Sequence, residues 1–218
     1  MSRVLVVGDL HLPADHPSYF EFIKDVKRKY KTNETVFIGD IVDHHAISFH
    51  KQHPEADSAM SEYKSITESI KKWKRLFKNA TVCIGNHDER VHRLNADAGI
   101  PSVYLKEYNE VWNTPTWDWK HCHEIDGVMY THGTGTSGLA PAFNTARVTG
   151  NSWVMGHCHS VASVSWLKAP NGNLIFGMNV GCGIDPTHVV MDYGKNHIKK
   201  PIVAAGVVID GHPYLEIM

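Results

Sequence analysis

The sequence lacks three features that would each indicate a particular class of protein. Its four cysteines, Cys83, Cys122, Cys158 and Cys182, form no C-x-x-C pair, which argues against a thiolate zinc knuckle. No apolar run approaches the length of a membrane span or a secretory signal. The net charge is −1, so no overall charge attracts the chain to nucleic acid or to a membrane. These absences predict a soluble cytoplasmic protein without membrane contact, whose cysteines are reduced thiols in the core.

The rest of the composition is that of an ordinary globular protein. Of the 218 residues, 42% are apolar and 21% are charged, and there is no internal repeat or linker, so one domain over residues 1–218 is expected. The unusual feature is a content of 16 histidines. Histidines at the ends of strands would be candidates for metal ligands.

The first half of the chain alternates short apolar strands with amphipathic helices. In the helices, apolar residues recur every three or four positions. This alternation predicts a parallel α/β core, in which ligands bind beyond the carboxyl ends of the strands. The predicted strands are Val4–Val7, Thr35–Ile38 and Ala80–Ile84, and the predicted helices cover residues 18–30 and Ser58–Lys78.

The second half is predicted to be rich in strands, with a mixed or antiparallel arrangement. Residues 44–60 and 95–120 are the least regular stretches, and Trp112, Trp117 and Trp119 in the latter are expected to cover the core. One helix is expected at about Leu139–Thr149. The predicted strands are Val128–Thr131, Ser152–Met155, Val161–Leu167, Leu174–Val180, Pro201–Ile209 and Tyr214–Ile217.

Five polar loops, each directly after an apolar strand, carry side chains that bind metal ions. Buried Asp and His side chains are costly unless paired, so a row of them needs cations. Carboxylate, imidazole and amide ligands without thiolate suit Mn²⁺, Fe or Zn²⁺. Two cations about 3.5–4 Å apart can clamp a phosphate and acidify a water. The loops are Asp9-Leu10-His11, Gly39-Asp40 with Asp43, Gly85-Asn86-His87-Asp88, Thr131-His132-Gly133 and Gly156-His157-Cys158-His159.

Two similar patterns elsewhere do not follow a strand and a glycine in this way. Asp43-His44-His45 repeats the D-x-H spacing, and His121-Cys122-His123 repeats the H-x-H spacing. Because His121 and His123 lie in a polar alternating segment, they are predicted to be surface residues.

In their order along the chain, the five loops resemble the motifs of the calcineurin-like metallophosphoesterase superfamily: D-x-H, G-D-x-x-D, G-N-H-D/E, an isolated H, and G-H-x-H. The match runs from Asp9 to His159. The resemblance implies a four-layer α/β/β/α sandwich with two mixed sheets and a dimetal site at the carboxyl ends of the strands. It also implies two divalent ions, of which Mn²⁺ is expected first, with Fe, Zn²⁺ or Ni²⁺ as alternatives.

The resemblance also implies a role for each residue. His87 resembles the residue that binds the phosphate and protonates the leaving oxygen, a step worth about 10²–10⁴-fold in rate. Asp88 is expected to orient His87. Asp9, His11 and His159 resemble the ligands of one metal, Asp40 the bridging carboxylate, and Asn86, His132 and His157 the ligands of the other metal.

The chain departs from the protein-phosphatase branch of the superfamily, which carries Arg-Gly after the second Asp of its second motif. Here His44 and His45 follow Asp43, although Arg is the best partner for a dianionic phosphate. Arg90 and His44 are the candidate substrate-binding residues, with a plain surface position as the alternative for Arg90. Asp43 is expected to orient a metal ligand.

The predicted function is therefore a two-metal phosphodiesterase that acts on nucleic acid or nucleotide phosphodiesters. A phosphomonoesterase and a non-catalytic binding module of the same fold are the alternatives. The chain has no room for the cap domain that feeds DNA to the large repair nucleases of the superfamily. The oligomeric state is not indicated. The basic residues that could meet a polyanion are Lys71, Lys74, Arg75 and Lys78 on one helix face, for which a solvated surface is the alternative, and Lys195, Lys199 and Lys200 in a loop.

Overall fold

Two mixed β-sheets lie face to face in the structure, a computed structural model that describes residues 2–49, 53–194 and 198–218. Each sheet joins a parallel core to antiparallel edge strands. The first sheet contains β1 (Arg3–Val7), β2 (Glu34–Phe37), β3 (Ala80–Cys83), β4 (Trp117–Lys120), β10 (Ala204–Ile209) and β11 (His212–Ile217), in the order β11-β10-β1-β2-β3-β4. The second contains β5 (Cys122–Ile125), β6 (Val128–Thr131), β7 (Ser152–Met155), β8 (Ala162–Lys168) and β9 (Leu174–Val180), in the order β5-β6-β7-β9-β8.

Helices cover the outer faces of both sheets. The first sheet is covered by α1 (Tyr19–Tyr30) and α2 (Ala59–Leu76), which bury residues such as Ile23 and Trp73 against β1 and β2. The second sheet is covered by α5 (Pro141–Thr149). The remaining helices are the short α3 (Arg90–Asp97) and α4 (Tyr108–Val111). None of the described helices has both the length and the apolar character that crossing a membrane requires.

Apolar side chains from both sheets fill the space between them and complete the layers. Val6 and Ile38 from the first sheet pack with Tyr130, Phe176 and Met178 from the second, all fully buried. With helices outside, the layers run α/β/β/α, which confirms the architecture that the motifs implied. Side chains alternate along β1, so Leu5 and Val7 face the helices while Val4 and Val6 face the second sheet. The first sheet therefore has a core on each side.

The three predicted helices and the predicted strands begin and end within about three residues of their predicted positions, whereas α3 and α4 were not predicted. Ser58 caps α2 as its hydroxyl accepts the N–H of Ser61 at 3.4 Å. The stretch 95–120, predicted to be irregular, instead contains α4 and β4. The alternating W-D-W-K run of β4 is the period-two pattern of a strand, with Trp117 buried and Asp118 exposed. Trp112 and Trp117 are buried in the core, as expected.

Strand β5 accounts for two predictions that are wrong. Cys122 is exposed rather than in the core, whereas Cys83 and Cys182 are buried as expected and Cys158 is half-buried. The side chain of His123 is only 7% exposed rather than on the surface. Successive residues of a strand face opposite sides. His123 therefore turns inward, where its Nε2 lies 2.9 Å from the Val82 carbonyl, and Cys122 turns outward. His121 precedes the strand and is exposed, as predicted.

Candidate metal centre

The five polar loops meet at the carboxyl ends of β1, β2, β3, β6 and β7. The first three strands belong to one sheet and the last two to the other, so the loops of both sheets close around one point. Hydrogen bonds and ion contacts join their side chains into a single cluster. The structure thus brings together all seven predicted ligands, Asp9, His11, Asp40, Asn86, His132, His157 and His159.

The backbone of these loops is sharply turned. Asp40 and His157 have φ angles of 46° and 64°, a left-handed conformation that is unfavourable for residues with a Cβ and that clusters at functional sites. The glycines of the motifs permit close approach. A Cβ at Gly85 would strike the Asp40 carboxylate, and a Cβ at Gly156 would strike the Asp9 carboxylate. The glycines are therefore required by the crowding of the ligands.

The first group of ligands consists of Asp9, His11, Asp40 and His159, whose ligand atoms all lie within 4.8 Å of one another. The Nε2 of His159 lies 3.1 Å from Oδ2 of Asp9 and 3.2 Å from Nε2 of His11. The Oδ1 of Asp9 is buried without a hydrogen-bond partner among the described residues. A buried carboxylate oxygen without a partner is costly, and a cation would satisfy it.

The second group consists of Asp40, His132 and His157, with Asn86 beside them. The Nε2 of His132 lies 3.1 Å from each of Oδ2 of Asp40, Oδ1 of Asn86 and Nδ1 of His157. Asp40 belongs to both groups, and its Oδ1 accepts the backbone N–H of His87 at 2.8 Å. Its other oxygen is thus left to face the two groups together.

The tautomers of two histidines test whether these residues fit metal ions. Nδ1 of His11 lies 2.7 Å from Oδ1 of Asp43, and Nδ1 of His132 lies 3.1 Å from the Ile38 carbonyl. Both partners only accept, so Nδ1 carries the hydrogen in each ring. In the neutral rings, Nε2 then has a lone pair, and it faces carboxylate and amide oxygens, which also carry lone pairs. Such an arrangement is repulsive unless Nε2 binds a proton or a metal ion, so the residues fit two cations that share Asp40.

The electrostatics of the cluster favour positive charge at the same place. Burial lowers the pKa of His132, but the carboxylates of Asp40 and Asp9 outweigh it and raise that pKa to about 9. Burial likewise lowers the pKa of His11, yet its hydrogen bonds to Asp40 and Asp43 bring it well above 6.5. Burial raises the pKa of Asp40, but the surrounding His132 and His87 hold it well below 3.8. Asp40 therefore stays ionised and attracts cations.

His87, the predicted proton donor, is held by Asp43. Its Nδ1 lies 3.1 Å from Oδ1 of Asp43 and 2.9 Å from the backbone carbonyl of the same residue. The same Oδ1 accepts from His11, and the rings of His87 and His11 are 4.4 Å apart. Burial raises the pKa of Asp43, but the hydrogen bonds from His11 and His87 outweigh it and hold that pKa below its usual range. Asp43 therefore orients both a metal ligand and the candidate acid.

Asp88 was expected to orient His87, and this expectation is corrected by its hydrogen bonds. Its two oxygens accept the backbone N–H groups of Gly85 at 2.9 Å and Val42 at 3.2 Å. Burial, followed by the charge of Asp40, raises its pKa to about 7. Asp88 points away from the ring beside it because it ties two ligand loops together. Nothing in its position along the sequence distinguishes this task from the orientation of His87.

Substitution of Asp88 by Asn should therefore lower stability rather than alter proton transfer. One acceptor oxygen becomes an N–H donor that faces a backbone N–H, which should cost about 1–3 kcal/mol in the free energy of unfolding. Urea denaturation of both proteins measures this cost. The ratio of rates on esters with poor and good leaving groups should stay that of the wild type. A lower rate only on esters with poor leaving groups would show instead that Asp88 orients His87.

Arg90 and His44, the candidate substrate-binding residues, lie beside His87. Arg90 is 5% exposed, so the alternative of a surface position is wrong. Its Nη1 donates to the carbonyls of Asp43 and His44 at 2.8 Å each, and its Nη2 lies 3.1 Å from Nδ1 of His87. His44 donates from Nδ1 to the His87 carbonyl at 3.0 Å. Both side chains stabilise the loop around His87, and their contact with substrate stays a prediction.

Comparisons with known proteins place this site in a family. A family model described as calcineurin-like phosphoesterase matches residues 2–194. No curated protein matches the sequence. Similar solved structures include Yfce, a phosphoesterase from E. coli, with 14% identity over 95% of this chain and 88% of that chain and a TM-score of 0.46. Vps29 from Chaetomium thermophilum has 11% identity over 100% and 97% of the two chains and a TM-score of 0.47. At identities this low, the likeness to these structures concerns the fold alone.

Proposed function

The chain belongs to the calcineurin-like phosphoesterase family, and from its site we propose that it is a two-metal phosphodiesterase acting on nucleic acid or nucleotide diesters. The observation that supports this most directly is the position of Asp40. It is shared by two groups of metal-type ligands and contacts the backbone of the candidate acid His87. A non-catalytic binding module would not require that arrangement around an acid.

The residues of the centre divide the work of hydrolysis. Asp9, His11 and His159 would hold one ion, Asn86, His132 and His157 the other, and Asp40 both. Two divalent ions, Mn²⁺ in this proposal, supply Lewis-acid chemistry that neutralises phosphate charge and acidifies water. His87 is suited to protonate the leaving oxygen from Nε2, because its Nδ1 donates to Asp43. The Asp43 carboxylate holds the His87 ring through Nδ1, which leaves Nε2 for the leaving oxygen.

The preference for diesters follows from the cationic groups at the centre. A monoester carries nearly two negative charges, and a dedicated monoesterase usually adds an Arg to grip the extra oxygen. Of the described residues, Arg90 is the one Arg or Lys that hydrogen bonds attach to this site, and its Nη1 is occupied by two backbone carbonyls. The guanidinium is therefore not free to form a two-pronged contact with a dianion through Nη1.

We expect a Mn²⁺-loaded preparation to hydrolyse a bis-aryl phosphate diester with a kcat/KM at least equal to that for the corresponding aryl monoester. The Asp40→Asn variant, purified in parallel, controls for contaminating phosphatases. A monoester rate tenfold above every diester would correspond to about 1.4 kcal/mol of opposite transition-state preference. That result would replace the diester proposal by the monoesterase alternative, and hydrolysis of neither ester would favour a binding module.

The identity of the natural diester is addressed by a panel of cyclic nucleotides, RNA, and single- and double-stranded DNA. The basic face of α2 argues little for duplex tracking, because Lys71 and Lys74 form hydrogen bonds within the fold. Of the loop lysines, Lys195 lies outside the described residues and Lys199 is exposed. We therefore propose a short single strand or a nucleotide as substrate in preference to duplex DNA.

A further inference from the structure

An exposed aromatic ring and an arginine form an open groove on α3, the helix that begins three residues after His87. Phe49 is 59% exposed, although aromatic rings of this size are usually buried. The guanidinium carbon of Arg93 lies over its ring, 5.4 Å from the centroid. Ala96 and Asp97 complete the lining of the groove. Its wall thus combines an apolar ring, a cation and a carboxylate, all accessible to a ligand.

Both Arg93 and Phe49 lie a few residues along the chain from a residue that contacts His87. Arg93 lies on α3, one turn or about 4.5 Å along the axis from Arg90, whose Nη2 contacts the His87 ring. Phe49 lies six residues after Asp43, which orients the same ring. In the proposed function His87 faces the leaving oxygen, so a groove on the helix that follows His87 is a candidate site for the departing part of the substrate.

We propose that Phe49 and Arg93 form a platform that stacks the nucleobase of the leaving nucleoside. Aromatic rings bind bases of any sequence through their π-faces, and Arg adds a cation–π contribution. The Asp97 carboxylate can accept a hydrogen bond from an exocyclic amino group of the base. The proposal rests on the proposed diesterase function, and it narrows the substrate to a diester with a base on its leaving side.

The test compares two dinucleotides that differ only in the leaving-side base. One is a dinucleoside monophosphate, and the other is the same diester with an abasic leaving side. Wild-type enzyme loaded with Mn²⁺ should show a kcat/KM about tenfold higher for the base-bearing diester, within the range of base–aromatic stacking. Phe49→Ala should remove this preference and leave the abasic rate unchanged. Phe49→Trp should retain it, and Arg93→Gln should reduce it.

Tyr214→Ala is the matched control, because Tyr214 is an exposed aromatic residue on β11, at the opposite edge of the first sheet from β4. It should keep the preference. Equal losses on both dinucleotides in Phe49→Ala would show that Phe49 acts on the fold alone. The absence of a base preference in the wild type would overturn the platform directly.

A binding measurement separates failure of this inference from failure of the proposed function. Fluorescence anisotropy with a labelled tetrathymidine in the presence of a chelator reports base contact without cleavage. The wild type should bind it about tenfold more tightly than a base-free tetramer, and Phe49→Ala should not. If no diester is hydrolysed but this difference is found, the diesterase proposal and the leaving-side role fail, and Phe49 and Arg93 remain a surface that binds bases. If hydrolysis is found without the difference, the platform fails alone.

Discussion

Replacement of Asp40 by Asn should lower kcat more than about 100-fold, the upper range for a residue that merely supports a metal ligand. Asp40 is 2% exposed, and its two oxygens face different partners. Oδ1 accepts the His87 N–H, and Oδ2 faces His132 and His11 at 3.1 and 3.5 Å. In Asn, the new amino group must either face that N–H or point at the ions. Both orientations are unfavourable, so bound metal should fall below two ions per chain.

Elemental analysis after equilibration with Mn²⁺ measures the metal content directly, and the wild type should bind two ions. Metal should also raise the unfolding temperature of the wild type, by linkage, more than that of the variant. Asp25→Asn is the matched control, because Asp25 is an exposed carboxylate on α1 that forms an ion pair with Arg28, far along the chain from the ligand loops. At most one ion per wild-type chain at saturating Mn²⁺ would contradict the dimetal centre.

Replacement of His87 by Ala should lower kcat by about 10²–10⁴-fold on esters with poor leaving groups. The backbone N–H of residue 87 remains, so its hydrogen bond to Asp40 and the metal content should be preserved. An activated aryl ester should lose much less, because its leaving group needs little protonation. Steady-state kinetics on a nucleoside diester and on a bis-aryl diester measure the two losses.

His121→Ala provides a control for the removal of an imidazole. The His121 side chain is 68% exposed and lies 3.3 Å from Glu89, outside the ligand groups. Its rates on both esters should match those of the wild type. If His87→Ala slows the two esters equally, the role of general acid is wrong and His87 acts instead in binding the phosphate.

Most strands and the three longest helices could be predicted because local patterns determine them, whereas α3, α4, β4 and β5 were not predicted. The β-branched run at Val4–Val7 and the three- and four-residue spacing along α2 lie within single elements. β5 was missed, since its burial depends on pairing with β6. Cys122 is exposed and the His123 side chain is buried because of that pairing, which no local sequence pattern indicates.

The sequence by itself determined which side chains form the centre. The five motifs place Asp, Asn and His after strands, and their resemblance to a known family implied which of these side chains form the set. The tertiary structure decided what each neighbouring side chain does. Asp43 and Asp88 both lie within a few residues of a ligand, yet one holds the His87 ring and the other holds backbone amides.

The same division applies to Arg90 and Phe49. The sequence alone assigns no single role to an arginine three residues after His87 or to a phenylalanine in an irregular stretch. Only packing shows that Arg90 is occupied by the Asp43 and His44 carbonyls while Phe49 stays exposed against Arg93. The physical reason is that ligand identity depends on residue type and position after a strand, which are local. The orientation and exposure of a side chain depend on contacts with residues distant in sequence, which exist only once the chain is folded.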